Sequence, residues 1–195
     1  MASRNGSSMR AIIGAIETGR LEAEPRLVVS NRRESAALTF AAEHGVPAVL
    51  IPTLPDPDAA DEQLREALAA AGVDLVVLSG YLRKLGPRTL ARYHGRILNI
   101  HPALLPKFGG EGMYGRKVHE AVAASGDLVT GATVHIVDGE YDHGPIVAAC
   151  EIPLPPGAAP EEIERLVTAA EPAFFVEVLG RIAVGELRLI SDNIP

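Results

Sequence analysis

Four short apolar runs bounded by turn residues, Arg26–Ser30, Pro47–Ile51, Asp74–Ser79 and Arg96–Ile100, alternate with helix-patterned segments, and this alternation limits the fold more than any other feature of the chain. Runs of that length read as short buried strands. The intervening segments carry helical spacing: Met9, Ile12, Ile13 and Ile16 within Met9–Thr18, an alanine-rich stretch over Arg33–Glu43 ending before Gly45, and Leu64 and Leu68 within Ala59–Ala71 ahead of Gly72. Strands joined through helices pair in parallel, so the expected fold is α/β, a mostly parallel sheet with helices on both faces.

The last third changes character. Thr130–Val137 alternates, with Ala132, Val134 and Ile136 on one side and Thr133, His135 and Val137 on the other, and Ile146–Leu154 forms a second strand across a Gly/Asp loop. This pair reads as an antiparallel edge at the C-terminal side of the sheet. Pro155-Pro156-Gly157 breaks the chain before a long helix over Pro160–Gly180, whose acidic start at Glu161 and Glu162 complements the helix dipole, and a short strand is expected near Leu187–Ile190. No linker interrupts the pattern, so residues 1–195 read as a single domain.

Charge and composition exclude several classes. Eighteen Lys and Arg against 25 Asp and Glu give a net charge of −7 without a dense basic cluster, which argues against nucleic acid or an anionic membrane surface as partner. No run is long and apolar enough to predict a membrane span. The single cysteine, Cys150, excludes an intrachain disulfide and suits a reducing compartment, so a cytoplasmic setting is expected. Cys150 lies within an apolar strand, where an inert buried thiol is expected, and no Gly-x-Ser-x-Gly elbow is present; covalent nucleophilic catalysis is disfavoured. His44, His94, His119 and His143 lack metal-ligand spacing and read as structural or surface residues, so no metal is expected.

Three segments could carry chemistry. Ser3-Arg4-Asn5-Gly6-Ser7-Ser8 opens directly into the first helix, and small residues with free backbone N–H groups at a helix start suit an anion such as phosphate; the simpler alternative is that Ser7 or Ser8 merely caps the helix. Asn99 and His101 stand two apart at the end of an apolar strand, so both emerge on the face opposite Leu98 and Ile100, at the sheet edge where α/β proteins hold ligands. Either could instead serve the turn that follows. The acidic loop Asp138–Asp142 could bring a carboxylate to an imidazole, orienting it and favouring its charged form, although by composition it is simply a good loop. Arg83, Lys84 and Arg88 follow the Asp74–Ser79 strand and could meet an anionic ligand or remain solvated.

Taken in order, Ser3–Ser8, Asn99-Ile100-His101-Pro102-Ala103-Leu104-Leu105-Pro106, Gly112-Met113-Tyr114-Gly115 with Val118-His119, Gly131-Ala132-Thr133-Val134-His135, and Asp142 with Gly144-Pro145 resemble the phosphoribosylglycinamide formyltransferase family over essentially the whole chain. The Asn-x-His and Asp set is common to the wider group of formyltetrahydrofolate-using enzymes, whereas the Gly-Met-Tyr-Gly segment is narrower. The resemblance implies a Rossmann-like fold and formyl transfer from 10-formyltetrahydrofolate, a cosubstrate, to the amine of 5'-phosphoribosylglycinamide in purine biosynthesis. It implies Asn99, His101 and Asp142 as catalytic residues, and Gly6, Ser7, Ser8 and Glu171 as binding the ribonucleotide. Leu82, Arg83, Lys84 and Leu85, with Asn99 and with Asp138, Gly139, Glu140, Tyr141 and Asp142, are implied to bind folate. Small-molecule substrates are the implied partners, with room for a homodimer.

Amine attack on a formyl carbon creates an anionic oxygen and a cationic nitrogen. A protonated His101 and the Asn99 amide are expected to donate to the oxygen, and Asp142 to hold His101 and assist proton movement. Alternatives are a formyltetrahydrofolate hydrolase, a formyltransferase for another amine, or a silent folate- or nucleotide-binding domain.

The chain departs from the family pattern at three places. Arg4 stands where the family has Gly, Ser8 where Asn is usual, and Thr53–Glu62 lacks the Arg that relatives carry before the helix. Relatives also enter the Gly/Ser loop from an apolar strand. The expectation is that this first strand is missing, and that an upstream apolar segment would raise stability and activity together.

Overall fold

A computed structural model of the chain describes residues 1–3 and 6–189. Helix α1 (Ser7–Glu17) leads to β1 (Val28–Ser30), α2 (Ala36–Glu43), β2 (Ala48–Leu50) and α3 (Pro57–Ala70). After these come β3 (Val76–Leu78), α4 (Pro87–Arg92), β4 (Ile97–His101) and α5 (Arg116–Ser125). The chain then forms β5 (Val129–Ile136), β6 (Ile146–Pro153) and α6 (Pro160–Ala183). The α/β architecture is as expected, and every predicted strand from Arg26 to Leu154 forms with shifted ends.

Local chemistry accounts for the helix boundaries. Asp56 caps α3, its Oδ1 accepting the Ala59 N–H at 3.0 Å, and Pro57 begins the helix where a missing N–H costs nothing. In α6 the first turn carries Glu161 and Glu162 and the last turn Arg181, each matching the end of the dipole it faces. The start of α1 differs from the capping alternative: its N-cap is Gly6 at φ 63°, with no side-chain cap, and Ser7 and Ser8 are already inside the first turn. Their N–H groups are therefore not satisfied by a capping hydroxyl.

The strands make two sheets, β1-β2 and β3-β4-β5-β6. The β1–β2 and β3–β4 pairs are parallel, while β4–β5 and β5–β6 are antiparallel, so the antiparallel portion is one strand pair larger than the sequence pattern suggests. Residues Met1–Ser3 run between the sheets. The Ala2 N–H donates to Val29 O at 3.0 Å on one side; on the other, Met1 N donates to Val77 O (2.6 Å), Ser79 N to Met1 O (2.9 Å) and Ser3 N to Gly80 O (3.2 Å). No regular strand forms there, yet these three residues bond to both sheets and occupy the seam between them. From it the chain goes to β1 and β2 on one side and to β3 and β4 on the other, and the crevice beyond such a reversal is where open α/β sheets bind ligands.

Helices cover both faces. Leu64 and Leu68 of α3 pack with Val76, Leu78 and Ile97, while Ala15 of α1 and Phe175 and Val178 of α6 pack with Leu98, Ile100 and Val134. Asn99 and His101 thus lie on the face that Ile97 shares with α3.

Two helices were not apparent in the sequence. Helix α4 has six residues, too few for a periodic pattern, and is started from outside: buried Asp61 accepts the Arg88 N–H (2.8 Å) and Thr89 N–H (3.1 Å). Gly86 permits this, since a Cβ there would lie 2.2 Å from the Asp61 carboxyl carbon. The second is α5, whose buried face is Val118, His119 and Val122. The strand expected near Leu187–Ile190 does not form over 187–189; these residues trail from α6 with Leu187 and Leu189 packed on the core, and residue 190 lies outside the described residues. Among the described residues no helix is long and apolar enough to cross a membrane.

Candidate active site

Antiparallel pairing of β4 with β5 sets Asn99 opposite His135 and His101 opposite Thr133, so four polar side chains share one face of two adjacent strands. The loop after β5 adds Asp142. Its Oδ2 lies 3.4 Å from His101 Nδ1 and its Oδ1 3.5 Å from His135 Nε2, and Oδ2 accepts the Gly110 N–H at 3.1 Å. The Asn99 Nδ2 group completes the cluster 3.1 Å from His135 Nε2. The structure therefore joins Asn99, His101 and Asp142 despite the 41 residues that separate His101 from Asp142.

Asp142 is held in this position by unusual backbone. Its φ is 55°, the one positive value outside glycine among the described residues, a conformation that costs energy and persists only where surrounding contacts enforce it. Gly109 makes room: a Cβ at that position would lie 3.0 Å from Asp142 Cβ and 2.3 Å from Leu105 Cδ2. Burial alone would push the Asp142 carboxyl up, but the His101 hydrogen bond and charge and the Gly110 N–H outweigh it and hold the group well below the usual carboxylate range.

His101 is buried, with 3% of its surface exposed. Its Nε2 lies 2.8 Å from Phe108 O, and its Nδ1 faces Asp142. Both nitrogens thus face acceptors, which the ring satisfies together only when both carry hydrogen. Direct donation from His101 to an oxyanion would require one of these contacts to be given up. Thr133 fixes the loop beyond His101: its hydroxyl donates to Ala103 O (2.7 Å) and accepts the Leu105 N–H (3.1 Å).

Sequence reasoning missed His135 as a member of the site. The signal was present in the Thr133, His135, Val137 alternation, which leaves a histidine on a strand face with no apolar role. Nδ1 of His135 donates to Ile136 O at 3.0 Å, directing Nε2 toward Asn99 and Asp142. The other histidines stand apart. His44 and His143 pair with Glu17 and Asp138 near the surface, and His94 is exposed. His119 is buried, its Nδ1 unpartnered and its imidazole pushed down by burial. Among the described residues no group of three or more His, Cys, Asp or Glu is arranged to hold a metal.

The predicted folate segment forms one wall of a groove of about 420 Å³. Leu82, Arg83, Lys84 and Leu85 line it with Tyr141, and Thr53, Leu54 and Pro57 provide the facing wall. Leu54, Leu82 and Tyr141 are exposed apolar groups, and Lys84 Nζ lies 5.8 Å above the Tyr141 ring. Asp138, Gly139 and Glu140 are in the same loop as Tyr141 but do not line this groove; Asp138 is turned instead to the Glu140 N–H and His143. The cations on this groove, Arg83 and Lys84, belong to the 81–87 wall, and the facing wall carries Asp58 and Asp61.

Of the residues expected to bind the ribonucleotide, Gly6, Ser7 and Ser8 sit at the start of α1; Arg4 and Asn5, which precede them, lie outside the described residues. Glu171 is on α6, outside the Asp142 cluster, near enough to Cys150 for its charge to act on that thiol. Burial pushes its carboxyl up to about 7. Cys150 is half-buried rather than buried, and burial raises its thiol.

Comparison with known proteins gives a consistent set of likenesses. The profile of the formyl transferase family matches residues 1–179. The chain is 40% identical over 193 residues to phosphoribosylglycinamide formyltransferase of Mycobacterium tuberculosis, covering 98% of this chain and 86% of that one. It is 36% identical over 196 residues to the chloroplastic phosphoribosylglycinamide formyltransferase of Arabidopsis thaliana, covering 99% of this chain and 67% of that one. The crystal structure of glycinamide ribonucleotide transformylase 1 from Symbiobacterium toebii superposes with a TM-score of 0.88 at 34% identity, covering 98% of this chain and 88% of that one.

Proposed function

The chain belongs to the formyl transferase family, and from that membership we infer that it transfers the formyl group of 10-formyltetrahydrofolate to the amine of 5'-phosphoribosylglycinamide, a step of purine biosynthesis. The observation that carries the assignment of roles is the meeting of Asn99, His101, His135 and Asp142 in one polar cluster, with Asp142 directly following Tyr141 of the 420 Å³ groove. We take residues 1–195 as one catalytic domain working in the cytoplasm.

Each substrate has a matching surface. The start of α1 at Gly6, Ser7 and Ser8 offers N–H groups to the phosphate of the ribonucleotide, and Glu171 accepts from the ribose hydroxyls. The groove suits the folate: exposed Leu82, Leu54 and Tyr141 take its aromatic ring, and Arg83 and Lys84 attract its acidic end. Tyr141 is the chain neighbour of Asp142, which connects the groove to the polar cluster.

The neutral amine adds to the formyl carbon, forming a C–N bond and moving the carbonyl electron pair to oxygen. Asn99 has two amide hydrogens, one directed at His135, so the other is available to the oxyanion. Asp142 accepts a proton from the cationic nitrogen, through water, and that proton passes to the folate nitrogen as its bond to the formyl carbon breaks. His101 holds the Asp142 carboxylate in its ionised form and direction until that proton arrives. No covalent enzyme intermediate is required.

The test is mass-spectrometric detection of the formylated ribonucleotide, with the dephosphorylated glycinamide riboside as a second acceptor. The expected result is product from the ribonucleotide and a KM for the riboside raised by about 100-fold or more, consistent with several lost charge-assisted hydrogen bonds. Equal use of both acceptors would remove the phosphate-binding role from α1. Steady deformylation with neither acceptor would identify a hydrolase instead.

Glu171 gives a pH prediction. Its raised pKa means that the carboxyl is protonated below about 7 and ionised above, and only the ionised form accepts two hydroxyl donors fully. The KM for the ribonucleotide should therefore fall as pH rises through about 7, and Glu171→Gln should flatten that dependence. A parental KM independent of pH across this interval would contradict the role.

A further inference from the structure

We propose that Ser3 is a positioning residue that fixes the distance between the phosphate loop and the folate wall, an inference that rests on the function proposed above. Ser3 is 1% exposed and so reaches neither ligand. Its hydroxyl accepts the Leu82 N–H at 3.0 Å and donates to Asn31 Oδ1 at 2.7 Å. One buried oxygen thereby joins three things: the segment three residues before Gly6, the chain immediately after β1, and the first residue of the Leu82–Leu85 wall.

The backbone around it reinforces the same connection. Ser3 N donates to Gly80 O, and Ser79 Oγ accepts the Met9 N–H at 3.2 Å, tying the first turn of α1 to the end of β3. Among these contacts Ser3 Oγ is the side-chain atom that reaches the folate wall itself. Leu82 lies beyond the last β3 pairing, where ladder hydrogen bonds no longer hold the backbone, and its N–H is satisfied by Ser3. Removing the hydroxyl frees the wall to shift relative to α1, and with it the formyl group relative to the amine. A displacement near 1 Å between reacting groups costs up to about 100-fold in rate even when both substrates still bind.

Ser3→Ala is the test, read in two ways. Turnover is counted per site that binds folic acid, so a folding defect lowers the number of sites and leaves turnover per site unchanged. The expected result is turnover per site lower by about tenfold, with the KM of each substrate moved by less than about threefold. In the second readout, hydrogen exchange of the 82–85 amides is followed with and without inorganic phosphate. Phosphate should slow exchange there in the parental protein and leave it unchanged in Ser3→Ala.

Parental turnover per site in Ser3→Ala would overturn the proposal, as would equal phosphate-induced slowing in both proteins. Should Ser3→Ala fail to fold, Asn31→Ala, which removes only the acceptor that orients the hydroxyl, carries both readouts with the same expected directions and the same overturning results. If the parental protein formylates no ribonucleotide, the functional reading fails, and the exchange experiment still decides whether Ser3 couples the two segments.

Discussion

Asp142→Asn is expected to lower formyl transfer by about 10³-fold, within the range for loss of a positioned proton acceptor, while the protein keeps its fold. The amide is nearly isosteric and can still accept the Gly110 N–H that now reaches Oδ2. Asparagine also tolerates the left-handed backbone that Asp142 adopts at φ 55°. What disappears is the negative charge between His101 and His135 and the capacity to take a proton from the attacking nitrogen. A variant that melts like the parent and turns over within about tenfold of it would remove Asp142 from the proton path.

The direction of the Asp142 shift fixes a companion result. A carboxyl held below its ordinary range contributes stability that is fully present above the unfolded-state value and is lost only as pH falls through the folded one. Parental stability should therefore decline in acid partly through this group. Asp142→Asn should show a shallower decline, measured by thermal denaturation across the acidic range.

Asn99→Ala is the second large effect. The remaining Asn99 amide hydrogen is the polar donor on the reacting face not already directed at a protein acceptor, and loss of one oxyanion donor costs about 10²–10³ in rate. The loss should fall on kcat with little change in the KM of either substrate, because the charge being stabilised develops only in the transition state. A kcat unchanged beside a raised folate KM would make Asn99 a binding residue alone. His101→Ala is a less direct probe. His101 is buried and engages Phe108 O, so its removal opens a cavity and leaves a carbonyl unpaired as well as freeing Asp142.

Much of this arrangement was legible because it follows from period and order. Leu98 and Ile100 facing one way require Asn99 and His101 to face the other, and the β/α alternation puts that strand end at the ligand-binding edge of the sheet. The resemblance supplied Asp142, which no spacing could have brought to His101 across 41 residues. His135 was hidden because its role depends on register: with β5 slipped by one residue, Val134 or Ile136 would stand opposite Asn99 instead. The buried state of His101 likewise involves the following loop, where Phe108 O meets its Nε2, and that loop has no periodic pattern to read.

The fold shows the same division. Helix α4 escaped notice because Asp61, a residue of α3, starts it through side-chain bonds across 27 and 28 positions. The strand expected near Leu187 was inferred from apolar residues that serve packing instead. Residues Met1–Ser3 look too few for a strand, and in isolation they are; hydrogen bonds to β1 on one side and to β3 on the other nonetheless make them the seam of the sheet. That seam ties the segment before α1 to the Leu82–Leu85 wall, and on the proposed function the least strand-like part of the sequence is what sets the two substrate surfaces side by side.

The most direct measurement is the rate of tetrahydrofolate release from 10-formyltetrahydrofolate in the presence and absence of 5'-phosphoribosylglycinamide. The account predicts release that depends on the ribonucleotide, with one formylated ribonucleotide formed per folate released and both lost together in Asp142→Asn. Release at the same rate without the ribonucleotide, or no release with it, would contradict the assignment of this polar face to formyl transfer.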